Sequence, residues 1–181
     1  MGIVSLIKEN KAKNKISLEP VPLPDGAHLT SFYLSEQGMA MKPRYMLKEK
    51  EDGVYMKVTN LEASDWRMTE GLDNFDSGDR FMFIDEVKDC EHAVSVRLDD
   101  DSVVRKLEAI IVETGCISWD GYDVHKSMKG VLDAGDSYEL YMEFSDKTTV
   151  TVNGYNSHPQ KWRELISAVS EVFKTNCSYD K

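Results

Sequence analysis

Two segments of the chain gather groups that can do chemistry: Ser118-Trp119-Asp120-Gly121-Tyr122 and Asn153-Gly154-Tyr155-Asn156-Ser157-His158-Pro159. Aromatic rings beside carboxylate, amide, hydroxyl and imidazole groups are the mixture used by small-molecule and carbohydrate sites. Trp119, Asp120, Tyr122, Asn156 and His158 are therefore the candidate ligand-binding residues. Each also has a structural reading. Trp119 is large enough to plug the core under a hairpin, Asp120-Gly121 suits a turn, and Asn156 or Ser157 suits the cap of a following helix. Burial of Trp119 is the expected outcome. Acid/base work would need Asp120 brought against His125 or His158 across a cleft, an arrangement a hydrolase would use. Other acidic pairs point nowhere, because the chain holds 32 carboxylate side chains.

Motifs with a fixed catalytic spacing are missing. Neither G-x-S-x-G, H-E-x-x-H, a P-loop nor G-x-G-x-x-G occurs, and the S-x-x-K at Ser5–Lys8 stands without companion motifs. The acidic run Asp73–Asp85 places Phe75 and Ile84 where a calcium loop needs oxygen ligands. Cys90 and His92 share a strand face if extended, but a zinc site needs a second close pair, and His28, His125 and His158 are scattered singly. The expectation is no metal, no cofactor and no catalytic residue. A non-enzymatic binding or interaction module is the leading reading. An enzyme of unassigned class, using Asp120 with His125 or His158, is the alternative.

Charge narrows the partners. With 22 basic and 32 acidic side chains in 181 residues, the net charge is −10. Phosphate backbones call for clustered Lys and Arg. The basic run Lys8–Lys15 lacks aromatic residues and sits in the N-terminal segment, so no nucleic-acid partner is expected. A protein or small-molecule partner remains. No stretch approaches the roughly 18 apolar residues of a membrane span. The opening MGIVSLI is too short for a signal-peptide core, and Leu6 breaks the myristoylation pattern, so the chain reads as cytoplasmic. Three cysteines at irregular spacing make no disulfide framework. Cys90 and Cys116 read as buried thiols, and Cys177 as part of a polar tail.

The elements that must position these groups are legible from periodicity. Glu19–Gly26 holds three of the five prolines at alternate positions and reads as an extended linker. Segments 28–34, 39–48 and 54–61 alternate with period two between Gly-containing turns, which predicts a three-stranded antiparallel meander. Pro43 delays pairing of the middle strand. Residues 62–80 read as a polar loop, and 80–87 with 93–98 as a second hairpin; a helix across 81–90 is an alternative. Val103, Val104, Leu107, Ile110 and Ile111 recur at helical spacing, with Asp101 or Ser102 to cap and Gly115 to stop. Tyr138, Leu140, Met142 and Phe144 share one strand face, Ser145-Asp146-Lys147 makes the turn, and Val150 and Val152 lie on the return strand. The closing helix is predicted from about Pro159 to Phe173, burying Trp162, Leu165, Ile166 and Val169 against that hairpin.

The segments Ile117–Tyr122, Val131-Leu132-Asp133, Asp136-Ser137-Tyr138, Phe144-Ser145-Asp146 and Gly154-x-Asn156-x-x-Pro159-x-x-Trp162 resemble a family of uncharacterised bacterial proteins. Its pattern is W-D/N-G-F/Y followed by a hairpin, G-x-N-x-x-P and a helix. The resemblance runs over about 28–176, densest from 100 onwards, and departs at Lys147, where the family usually has glycine. It implies an architecture and no activity. Taken together, the chain is expected to be α+β: antiparallel strands from an N-terminal meander and a C-terminal hairpin, with two main helices packed on the sheet. The expected division is an N-terminal segment and linker over 1–27, one domain over 28–176 (or two lobes, 28–98 and 99–176), and a tail over 177–181.

Overall fold

The computed structural model describes residues 16–17, 19–38, 42–59, 93–126 and 135–177. They form an α+β fold built on one seven-stranded sheet. The strands are β1 (Leu29–Gln37), β2 (Arg44–Lys50), β3 (Gly53–Thr59), β4 (Ala93–Arg97), β5 (Tyr122–His125), β6 (Ser137–Phe144) and β7 (Thr149–Tyr155). Their spatial order is β4-β3-β2-β1-β6-β7-β5. Every neighbouring pair is antiparallel except β5 with β7, which is parallel. The predicted meander is present, and pairing of β2 starts at Arg44, directly after the proline that has no N–H to give. The 80–87 strand and the polar loop lie outside the described residues, as do the Asp73–Asp85 segment and the Cys90/His92 pair.

Alternation sends Phe32, Leu34, Tyr45, Leu47, Met56, Val58, Leu140, Met142, Val150 and Val152 to one face, where they join a single apolar cluster. Helices α1 (Ser102–Thr114) and α2 (Trp162–Cys177) pack side by side on that face. Helix α1 stops at Gly115, whose φ of 67° lets its N–H reach back to the Ile111 and Val112 carbonyls. Its start differs from expectation. Asp101 occupies the cap position without a side-chain cap bond and instead pairs with Arg105; the neighbouring Asp100 accepts the Ser102 N–H at 2.8 Å. Glu108 on α1 accepts the Leu29 N–H at 2.8 Å, fastening the start of β1 to the helix. The proline-rich segment lies against the same helix end, with Val21 N–H donating to the Val112 carbonyl at 3.1 Å.

Helix α2 begins three residues later than Pro159. Lys161 has a φ of 65°, and the Trp162 N–H closes a turn onto the Pro159 carbonyl, so the proline shapes the entry turn. Its first turn meets the hairpin, with Trp162 against Tyr138 at 4.5 Å between ring centroids. Further on it crosses β2, β3 and β4, and Phe173 meets Tyr45 at 5.2 Å. The helix also runs through Cys177. That thiol is buried and 2% exposed, so it is not part of a polar tail: it stands four residues after Phe173 and continues the apolar stripe.

The opposite face of the sheet is polar. Tyr33 and Met46 form a small apolar patch there with Tyr55 and Tyr141, and Ser31, Ser35, Lys57 and Thr59 are buried beside it. Among the described residues, no helix is long and apolar enough to cross a membrane.

Candidate functional site

Strand β5 creates the site. Asp120 accepts the Thr151 N–H at 3.0 Å, and the Gly121 N–H donates to the Thr151 carbonyl at 2.9 Å. Gly121, at φ 70°, supplies the left-handed turn that this clasp needs. The clasp sets the register of β5 on β7, so that Asp123 lies beside Asn153 and His125 beside Tyr155. The pairings of β7 with β6 and β6 with β1 carry the row onward. Asp123, Asn153, Glu139 and Ser35 form one line across four strands, and His125, Tyr155, Ser137 and Gln37 form the next. Period-two alternation puts both lines on the polar face, away from the helices.

A hollow of about 410 Å³ opens over these rows, lined by Ser35, Gln37, Asp123, His125, Ser137, Tyr138, Glu139, Asn153 and Gly154. Strands β1 and β6 place the small side chains of Ser35 and Ser137 here. His125 Nε2 lies 2.8 Å from Asp123 Oδ1, a pair exposed to solvent. Ser35 is 3% exposed, and its hydroxyl has no hydrogen-bond partner among the described residues. The side chains of Gln37, Ser137 and Asn153 likewise have none. Four polar side chains without partners among the described residues leave the hollow able to donate to, and accept from, a polar molecule.

The residues singled out from the sequence fall elsewhere. Trp119 is 1% exposed, 6.1 Å from Trp162 between ring centroids, and plugs the core as expected. Its Nε1 is the one buried side-chain polar atom among the described residues with no partner. Tyr122 is buried on the helix face, with its hydroxyl directed to the Ser157 carbonyl at 3.2 Å. Asn156, at φ 55°, donates to the Lys126 carbonyl and accepts the Asp136 N–H, both at 3.1 Å, and so ties β5 to β6 rather than capping α2. His158 is stacked on Tyr138 at 4.5 Å, with Trp162 behind it and Glu36 3.7 Å from its Nε2. Burial holds its imidazole below the ordinary value, against the pull of Glu36 and Asp136. Glu36 also accepts the Trp162 indole N–H at 2.7 Å and pairs with Lys42 at 3.1 Å. Burial raises the Tyr138 phenol, which donates to the Ser157 carbonyl.

Asp120 and His125 are not brought together. Tyr122 to His125 alone spans about 10 Å of extended chain, and Asp120 is occupied at Thr151. Nor does His158 meet His125: one packs with the rings of the helix face, the other stands on the polar face. Sequence reasoning missed Ser35, Gln37, Asp123, Ser137, Glu139 and Asn153. Polar residues at alternate positions within a strand were the available signal, and it marks a solvent face without saying which positions align across strands. Among the described residues, no three of His, Cys, Asp and Glu converge as metal ligands. Comparison with known proteins returned no match among family models, curated proteins or solved structures.

Proposed function

We propose that this protein is a non-enzymatic binding module whose ligand, a small polar molecule, seats in the hollow on the polar face of the sheet. The observation that carries this reading is the convergence of Ser35, Gln37, Ser137 and Asn153 on the hollow without side-chain partners among the described residues. A ligand that replaces water at all four gains hydrogen bonds at little reorganisation cost, because the strands hold the groups in place. The hydrolase alternative has less support. His125 is held by Asp123, but Ser137 is two strands away with Tyr155 between them, about 10 Å at the backbone. A nucleophile must sit within hydrogen-bond reach of its base.

Screening the full chain by amide chemical shifts against water-soluble compounds of every charge class tests this. Perturbations should centre on Ser35, Asp123, Ser137 and Asn153. Asn153→Leu, which removes an unpaired amide on the rim, should abolish them while leaving the melting temperature nearly unchanged. A screen in which no compound moves these amides, or one in which a compound is chemically converted at the hollow, would sink the reading.

A further inference from the structure

The donors and acceptors left open in the hollow narrow its ligand, provided that the hollow is the binding seat just proposed. Its two carboxylates are engaged within the protein. Asp123 accepts from His125 at 2.8 Å and stands 60% exposed, where water screens its charge. Glu139 has an interaction of its own. No Lys or Arg lines the hollow to hold an anion. Charge therefore selects neither sign of ligand. The side chains with no partner among the described residues are two hydroxyls, Ser35 and Ser137, and two primary amides, Gln37 and Asn153. All four are neutral, and each both donates and accepts. Register fixes their layout. Ser35 and Gln37 alternate on β1, about 7 Å apart along the strand. Ser137 stands across from Gln37 on β6, and Asn153 lies on β7 in the row of Ser35, two strand spacings or about 10 Å from it at the backbone. One ring bearing several hydroxyls spans such a patch. An alcohol hydroxyl also donates and accepts, so it answers both functions of every one of these groups. An ammonium only donates and a carboxylate only accepts, and either would leave half of each amide unmet.

We infer that the ligand is a neutral polyhydroxylated ring, a cyclic polyol or monosaccharide, whose hydroxyls are shared among Ser35, Gln37, Ser137 and Asn153. Selectivity then comes from the paired donor and acceptor at each contact, and the sheet register sets the spacing of those contacts.

Four six-membered rings of different charge decide it: myo-inositol and D-glucose as neutral probes, trans-1,4-diaminocyclohexane as the cation and trans-cyclohexane-1,4-dicarboxylate as the anion. Each is titrated into the full chain and followed by amide shifts. At least one neutral ring should perturb Ser35, Gln37, Ser137 and Asn153 with an affinity that salt does not change. Gln37→Leu should weaken it about fivefold, the scale of one neutral hydrogen bond. Gln37 is exposed, so this variant should melt with the wild type. The two charged rings should leave the amides unmoved. If either charged ring binds at the same amides as well as the neutral ones do, the hollow is a binding seat and the polyol assignment is wrong. The assignment is also wrong if Gln37→Leu binds the neutral ring undiminished, or if both neutral rings fail while another compound of the broader screen moves these amides. If none of the four, and nothing in that screen, moves them, the binding reading itself fails.

Discussion

His158 lies against Tyr138 and Trp162, with Glu36 near its Nε2 and Asp136, Lys42 and Arg163 as the other charges around it. Burial favours the neutral ring, so the folded chain takes up this proton at a lower pH than the unfolded chain does. The unfolded state then binds more protons in the window just below pH 6.5, and stability rises with pH there. The neutral ring's contribution is complete above the unfolded value and is lost as the pH falls towards the folded one. His158→Gln should flatten this dependence. Urea unfolding of both proteins at pH 7.5 and 5.5 measures it, and an equal loss in wild type and variant would remove His158 from the account. The two described thiols behave in the same sense: burial pushes Cys116 up to about 12 and Cys177 up to about 11. Thiolate is the reactive form. Alkylation of native protein at pH 8 should therefore spare both and reach them only in denaturant, as peptide mapping by mass spectrometry would show.

Strands β6 and β7 depend on one glycine. Tyr138 pairs with Gly154 across the ladder, and a Cβ at 154 would collide with the tyrosine hydroxyl and ring. The glycine is required for space, since its φ is not in the left-handed region. The same hydroxyl donates to the Ser157 carbonyl, which also accepts from Tyr122, so three elements meet at this point. Gly154→Ala should cost about 1–3 kcal/mol, the range for overpacking. Tyr138→Phe loses one hydrogen bond, about 1 kcal/mol. Combined, the two should cost less than their sum, because removing the hydroxyl removes part of the collision. Strict additivity in chemical denaturation would show that the contact is relieved some other way.

β1 is the seam of the molecule, pairing with β2 of the first half and β6 of the second, and one apolar cluster runs beneath both. This shared seam predicts that the two halves melt together. Native-state hydrogen exchange should give the slowest amides of β2–β3 and of β6–β7 the same opening free energy. A gap of several kcal/mol between them would restore the two-lobe division. Trp119 closes one end of this cluster, beside Trp162. Trp119→Ala should cost about 3–5 kcal/mol, while a near-native urea midpoint would show that the ring does little for the core.

Local rules account for most of the framework. The alternation of Val54, Met56 and Val58, the delayed pairing at Pro43, the stop at Gly115 and the stripe of Trp162, Leu165 and Val169 all follow from periods of 2 and 3.6 and from backbone chemistry confined to a few neighbouring residues. Burial of Trp119 was legible for the same reason: a large apolar ring after a helix end has few other places to go. What depended on distant residues was not. Cys177 read as polar tail because its segment is polar; the stripe that buries it is visible only once α2 is known to continue past Phe173. Strand β5 escaped notice because four residues carry little periodic signal, and its parallel pairing is set by Asp120 and Gly121 meeting Thr151, thirty residues away. The segments richest in chemical groups, Trp119–Tyr122 and Asn156–His158, spend those groups on the core, a clasp and a stack. The candidate site instead gathers Ser35, Asp123, Ser137, Glu139 and Asn153 from four strands. Each is an ordinary solvent-face residue within its own strand. Sequence determines which face a side chain takes, through the pleat of its own strand; register between strands, summed over four of them, decides which side chains stand in a row, and that is a property of the folded sheet alone.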